Sequence, residues 1–204
     1  PTHSASSAAS DVYKRQIDNF FWSGTNIRED EYGGSIENRS QFVSDIIKSV
    51  RENVSENFIV GLRFSQWKQH DFEAKLASNP EELKTILTSP VESGLDYLHS
   101  SMRRFWESEF TGSKENLAYW TKKIAKIPTI GVGSVGLDSD FIDMTAPATP
   151  TSIDKAIDDI TNDKYDLIAV GRALLSDHEW VLKMKEGRVN DVIPYTKDAL
   201  LNLY

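Results

Sequence analysis

The feature that most constrains this chain is a regular alternation of short apolar segments with amphipathic segments, from about residue 36 to residue 187. The apolar segments have the length of buried strands, and the amphipathic segments repeat their apolar residues at helical spacing. The four predicted strands lie within residues 58–65, 95–101, 127–136 and 165–175. Strands that alternate with helices predict a parallel sheet with right-handed crossovers.

The predicted helices carry start and stop signals. Ser35 is expected to cap the first helix, which ends near Asn53. Pro80 suits the first turn of the second helix, which we expect to be disturbed at Pro90. The remaining helices are predicted at residues 114–125, 151–163 and 179–187.

Two architectures fit this order of elements: an open, doubly wound α/β sheet, or part of a (β/α)8 barrel. The order of the strands in the sheet separates the two, and it is not visible in the sequence. The loops that follow the strands are long and polar, whereas the links from helix to strand are short, and barrel enzymes place their chemistry in the former. The predicted fold class is therefore α/β, a partial TIM (β/α)8 barrel, whose two open edges would expose unpaired backbone groups.

Charge and composition exclude several classes of function. The net charge of -8 argues against non-specific binding to nucleic acid or to an anionic membrane. The chain has no Cys, and its four His are scattered without metal-ligand spacing, so we predict no metal site. No apolar run approaches the roughly 18 residues of a membrane span. We expect a cytoplasmic protein with a small-molecule substrate, and the sequence leaves homo-oligomers open.

The first residues differ from the rest of the chain. PTHSASSAASDVYKRQ (1–16) is rich in Ser and Ala and lacks apolar periodicity. A secretory signal would begin with basic residues and continue with an apolar core, whereas here the basic pair comes late. We therefore predict that residues 1–16 are a spurious or disordered leader, and that the folded domain covers residues 17–204.

Arg63 is the first candidate for a site, because it stands near the end of an otherwise apolar predicted strand. A guanidinium in such a place is costly unless it meets an anionic or electron-rich group. That group is either the negative charge of a ligand or a neighbouring carboxylate, for which Asp71 and Glu73 are the candidates. The residues alone leave both possibilities open.

The ends of the third and fourth predicted strands form the second candidate. GVGSVG (131–136) brings Gly133 and Ser134 after one strand, and Gly171 and Arg172 follow the next. Glycine lets backbone N–H groups approach a phosphate, and arginine offers it a forked cation. GVGSVG by itself is more often a tight turn, but the two strand ends together indicate a phosphate site, which barrels place after strands seven and eight.

The segment DNFFWSGTNIREDEYGGSIENR (18–39) resembles the signature of the old yellow enzyme family, the FMN-dependent NADH:flavin oxidoreductases and NADH oxidases. VGLRFS, IPTIGVGSVG and DLIAVGRALLSDHEWV follow in the order expected of that family. The resemblance runs from about Ile17 to Tyr204 and corresponds to the C-terminal half of the family's barrel, namely strands five to eight with their helices.

The resemblance implies a cofactor and a role for each candidate residue. Arg63 would lie beside the N1/O2 edge of the flavin and stabilise the negative charge of the reduced ring. Gly133 and Ser134 would contact the FMN phosphate, and Gly171 and Arg172 would complete that site. NADH or NADPH would supply a hydride, and the acceptor would be an activated alkene or a similar molecule.

The same resemblance implies that the charged segment 25–39 is structural rather than catalytic. Its polar side chains would pair with one another and with the backbone, and Gly33-Gly34 would allow a sharp entry into the following helix. The side chains expected to pair are Asn26, Arg28, Asp30 and Arg39.

No catalytic residue is predicted in this chain. In the family, the His/Asn or His/His pair that binds the acceptor and the Tyr that donates the proton come from strands one to four, upstream of the matching region. We therefore expect an inactive fragment that binds FMN weakly or not at all. The alternatives are a non-catalytic incomplete barrel and another phosphate-binding barrel enzyme. An aldolase is disfavoured, because no predicted strand ends in Lys.

Overall fold

The structure is a computed structural model that describes residues 16–68, 71, 73–139 and 147–201. Of the predicted leader, all but Gln16 lies outside the described residues. Within the described part of the chain, no helix is both long and apolar enough to cross a membrane.

Four strands and seven α-helices make up the described structure, with two short 3-10 helices near its end. The strands are β1 (Gly61–Ser65), β2 (Tyr97–Ser101), β3 (Thr129–Val132) and β4 (Leu167–Ala169). The helices are α1 (Gln16–Phe21), α2 (Ile36–Glu52), α3 (Pro80–Glu92), α4 (Leu117–Ala125), α5 (Asp154–Thr161), α6 (Arg172–Ser176) and α7 (Trp180–Lys185). The 3-10 helices are Val189–Asp191 and Lys197–Leu200.

The four strands form one parallel sheet in the order β1-β2-β3-β4. A doubly wound sheet reverses its strand order at a switch point, and the described strands contain no such reversal. Neighbours in the sheet are also successive along the chain, as they are in consecutive units of a barrel. The α/β class and the parallel sheet predicted from the alternation are confirmed.

Helix α4 covers one face of the sheet at β2 and β3. The successive helices α2, α3 and α4 lie side by side. Ser100 of β2 is fully buried and donates a hydrogen bond to Thr121 of α4, with 2.9 Å between the hydroxyl oxygens. Because side chains alternate along a strand, Arg63 and its cross-strand partner His99 point to the opposite, less covered face.

One prediction about β1 is wrong. The apolar run 58–65 was expected to be a strand buried on both faces, but β1 begins only at Gly61. The side chains of Phe58 and Ile59 are 54% and 70% exposed. The reason is that both residues belong to the connection before β1, where the N–H of Phe58 donates to the carbonyl oxygen of Ser55 at 2.9 Å.

The helix boundaries confirm two predictions and correct a third. The hydroxyl of Ser35 accepts a hydrogen bond from the N–H of Asn38, and Pro80 occupies the first turn of α3, as predicted. However, α3 continues through Pro90 to Glu92. Pro90 cannot donate a hydrogen bond to the carbonyl oxygen of Ile86, but it is buried, and only two helical residues follow it.

The predicted pairing of the polar side chains in segment 25–39 is confirmed. The amide nitrogen of Asn26 donates to the carbonyl oxygens of Phe20 and Tyr32, each at 2.7 Å. Arg28 forms an ion pair with Asp30. The buried guanidinium of Arg39 donates to the backbone carbonyl oxygens of Phe21, which precedes the segment, and of Gly34 within it. Gly34 has a φ of +79°, the left-handed turn that leads into α2.

The buried carboxylate of Asp177, directly after α6, forms hydrogen bonds with residues nearer the end of the described chain. The carboxylate of Asp177 is 1% exposed and accepts hydrogen bonds from the ammonium of Lys183 at 2.8 Å and from the N–H groups of Ile193 and Glu179, both at 3.0 Å. Burial raises the pKa of this carboxyl, but these hydrogen bonds outweigh burial and hold the pKa below its usual value.

A lowered pKa makes the contribution of Asp177 to stability dependent on pH. The contribution is complete above the pKa of about 3.9 in the unfolded chain and is lost as the pH falls through the lower pKa of the folded state. We expect Asp177→Asn to lower the free energy of unfolding in urea at pH 7, and to lower it less at pH 3. The exposed Asp191, substituted in the same way, serves as the control and should show a small effect at both pH values.

Candidate phosphate-binding site

The predicted site residues stand at the carboxyl ends of the strands. Because all four strands are parallel, these ends meet at one edge of the sheet, where open α/β sheets and barrels bind their ligands. Arg63 belongs to β1, Gly133 follows β3, and Gly171 follows β4.

The end of β3 is packed closely against the loop after β2. The N–H of Met102 donates to the carbonyl oxygen of Val132 at 2.8 Å, and the N–H of Phe105 donates to that of Gly133 at 3.0 Å. A Cβ atom added to Gly133 would lie 2.7 Å from the carbonyl oxygen of Met102. Gly133 is therefore required for the close approach of the two loops. This agrees with the interpretation of GVGSVG as a tight turn. The backbone of Gly133 lies at the edge of the sheet.

Ser134 turns the chain away from β3. It has a φ of +51°, unusual for a residue with a side chain. Its hydroxyl donates to the carbonyl oxygen of Arg103 at 3.1 Å. Its own carbonyl oxygen accepts the N–H of Leu137 at 3.1 Å. These bonds hold the hydroxyl of Ser134 between the loops that follow β2 and β4.

Arg172 connects the end of β4 to the end of β3. Its Nη2 atom donates to the hydroxyl of Ser134 at 3.2 Å and to the carbonyl oxygen of Ser139 at 2.6 Å. Next to it, a Cβ atom added to Gly171 would meet no atom of the described residues within 4 Å. The predicted convergence of the two strand ends is therefore confirmed, and open space adjoins Gly171.

Sequence reasoning did not identify Tyr195 as part of this site. The guanidinium carbon of Arg172 lies 5.4 Å from the centre of the Tyr195 ring, within the range of a cation–π contact. Tyr195 is 5% exposed, and its backbone pairs with that of Ala148 through hydrogen bonds of 2.8 and 3.1 Å. No motif or spacing links Tyr195 to Arg172, because the contact depends on how the chain folds back.

Arg63 does not pair with the carboxylates that the sequence suggested. Its Nη2 atom donates to the hydroxyl of Ser101 at 3.1 Å. Among the described residues, no ion pair joins Arg63 to Asp71 or Glu73. The carboxylate of Asp71 instead accepts backbone N–H groups, including that of Glu73 at 3.1 Å. The alternative that Arg63 pairs with Asp71 or Glu73 is therefore wrong among the described residues.

The two arginines mark the ends of an elongated site. Neighbouring strands lie about 4.8 Å apart, so along the sheet the backbone of β1, which carries Arg63, lies roughly 10 Å from that of β3 and roughly 14 Å from that of β4. An elongated ligand could place a phosphate near Arg172 and an electron-rich group near Arg63.

Comparison with known proteins agrees with the family resemblance found in the sequence. The family model for the "NADH:flavin oxidoreductase / NADH oxidase family" matches residues 16–191. A protein named NADH oxidase, from Thermoanaerobacter brockii, is 34% identical over 184 residues, which are 86% of this chain and 25% of that protein. Cinnamate reductase of Clostridium sporogenes is 28% identical, over 87% of this chain and 27% of its own length. The chain thus spans about a quarter of the length of each of these relatives.

Solved structures show the same fold. The old yellow enzyme homologue from Zymomonas mobilis superposes with a TM-score of 0.64 at 17% identity, and the match covers 92% of this chain and 47% of that one. At this identity the likeness concerns the fold alone.

Proposed function

Because this chain belongs to the NADH:flavin oxidoreductase / NADH oxidase family, we propose that residues 17–204 form strands five to eight of an FMN-binding (β/α)8 barrel. The cofactors of this family are FMN and NAD(P)H. In this assignment β1 to β4 are strands five to eight. The parallel sequential order of the strands and the row of helices α2, α3 and α4, of which α4 packs on the sheet, support it.

The contact between Arg172 and Ser134 is the observation that carries this proposal. It joins the ends of the two strands that would be strands seven and eight, where barrel enzymes hold phosphate groups. We propose that Gly133, Ser134, Gly171 and Arg172 hold the phosphate of FMN. The residues fit the group, since the arginine supplies positive charge and the space beside Gly171 is open.

Arg63 would bind the other end of the cofactor. It lies at the same edge of the sheet, on the face opposite to α4, and its hydrogen bond to Ser101 directs the guanidinium along this edge. A fixed positive charge here would hold the electron-rich edge of the flavin ring. The role of Arg63 is therefore to orient the ring and to favour negative charge on it.

The bound FMN would supply hydride transfer from NAD(P)H to an acceptor, and we propose an activated alkene or a similar small molecule as that acceptor. A relative named cinnamate reductase supports this class of acceptor. The residues of this chain would bind and orient the cofactor, and we assign none of them to proton transfer.

Binding of FMN and of riboflavin, which lacks the phosphate, tests this proposal. We expect FMN to bind the 204-residue chain with a dissociation constant well above 1 µM and with a clear preference over riboflavin. In amide NMR spectra, FMN should shift the signals of Gly133, Ser134, Gly171 and Arg172, whereas riboflavin should shift them much less. Equal affinity for the two flavins, or shifts confined to other parts of the chain, would contradict the proposed site.

A further inference from the structure

We propose that Tyr195 is a positioning residue for the phosphate site, because its ring holds the guanidinium of Arg172 in the orientation that binds a phosphate. This inference rests on the proposed function, since it assigns Arg172 to the phosphate of FMN. Tyr195 would act through Arg172 and would not itself contact the cofactor.

The position of the Tyr195 ring is fixed from the backbone outward. Its N–H donates to the carbonyl oxygen of Ala148 at 3.1 Å, and its carbonyl oxygen accepts the N–H of Ala148 at 2.8 Å. Ala148 and Tyr195 are 2% and 5% exposed, and the nearby Val192 is 4% exposed. A buried ring on a backbone that is paired in both directions provides a stationary surface for a neighbouring cation.

The segment that carries Tyr195 is also tied to the helix that carries Arg172. The N–H of Ile193 donates to the buried carboxylate of Asp177, directly after the end of α6. Arg172 begins this helix, and Ala173 in its first turn is fully buried. The five-residue helix is too short to be rigid by itself, so the contacts with segment 192–195 at both of its ends hold it in place.

The physical effect of the ring is preorganisation of the cation. An arginine side chain has several rotatable bonds, and ordering them when a ligand binds costs free energy. A tyrosine face attracts a guanidinium without neutralising it, and a planar guanidinium keeps its N–H groups available at its edge while it stacks. The ring therefore removes part of the ordering cost and leaves the positive charge for the phosphate.

This effect has a signature that a general loss of stability would not produce. Only a ligand with a phosphate gains from the orientation of Arg172, so the ratio of FMN affinity to riboflavin affinity reports on it. A packing defect alone would lower the melting temperature without changing this ratio.

The experiment measures this ratio in the full 204-residue chain, by flavin fluorescence titration, for three variants. We expect Tyr195→Leu to lower the ratio by about fivefold, in line with a partly buried cation–π contact. Tyr195→Phe keeps the aromatic face and should retain the ratio of the unsubstituted chain. The matched control is Tyr119→Leu, because Lys123 lies 5.4 Å from the ring of Tyr119 on α4, away from the site. The control should leave the ratio unchanged.

Each outcome decides a different point. An unchanged ratio in Tyr195→Leu, or an equal loss in Tyr195→Phe, overturns the role of the ring. Absence of any FMN preference in the unsubstituted chain would instead refute the proposed function. If Tyr195→Leu fails to fold, fluorinated phenylalanines at position 195 keep the ring's size while they weaken its attraction for cations. The ratio should then fall with each added fluorine, and a constant ratio would overturn the inference.

Discussion

Arg172→Met is expected to lower the affinity of the chain for FMN by about 10- to 100-fold, because a charge-assisted hydrogen bond contributes roughly 1.5–3 kcal/mol. The affinity for riboflavin should change by less than about twofold, since riboflavin has no phosphate to meet the guanidinium. Arg172 also supports the loop after β3 through its bonds to Ser134 and Ser139. For this reason the two flavins are compared within the same variant by fluorescence titration.

Arg63→Met is the matched control for this prediction, because it removes a guanidinium from the same edge of the sheet. Arg63 is assigned to the flavin ring, which both ligands share, so its loss should weaken FMN and riboflavin by similar factors. Arg172→Lys should recover part of the FMN preference through its charge, but not the forked geometry. Parallel losses of both flavins in Arg172→Met would show that the arginine only supports the fold.

Gly33→Ala is expected to destabilise the protein by about 3 kcal/mol or more. The added Cβ atom would lie 2.0 Å from the carbonyl oxygen of Arg28 and 2.4 Å from its carbonyl carbon. The backbone of Arg28 cannot easily move away, because its N–H donates to the side chain of Asn26, which in turn holds Phe20 and Tyr32. Urea unfolding monitored by circular dichroism measures the loss.

Gly112→Ala is the control for Gly33→Ala. Gly112 has a φ of +82°, but a Cβ atom there would meet no atom in the described part of the chain within 4 Å. We expect only the cost of the left-handed backbone, about 1 kcal/mol. If Gly33→Ala cost no more than this control, the tight contact with Arg28 would not be what the segment 25–39 requires.

Much of the fold could be predicted from local patterns. Ser35 and Pro80 act within one helical turn of their own positions, and both predictions were confirmed. The predictions that were wrong depended on more distant parts of the chain. Phe58 and Ile59 are apolar enough for a buried strand, but they precede β1, and burial depends on what packs beside them. Pro90 is a helix breaker in general, but here it is buried, and α3 extends only two residues beyond it.

The candidate site also has a part that local patterns predicted and a part that they did not. The glycines and the arginine at two strand ends predicted a shared site formed by Gly133, Ser134, Gly171 and Arg172. The alternation predicted parallel strands, and parallel strands bring their carboxyl ends to the same edge of the sheet. The partner of Arg63 could not be predicted, since nearby carboxylates in the sequence were as plausible as Ser101 on the neighbouring strand. Tyr195 carried no local signal at all.

The sequence by itself determined the alternation of strands and helices, the helix caps and the residue types at the strand ends, because periodicity, capping and backbone freedom act over a few neighbouring residues. Only the tertiary structure decided the sequential order of the strands, the bond between Arg63 and Ser101, and the cation–π contact of Arg172 with Tyr195. These features join residues that are distant along the chain. The energy of such contacts arises only when packing brings the partners together.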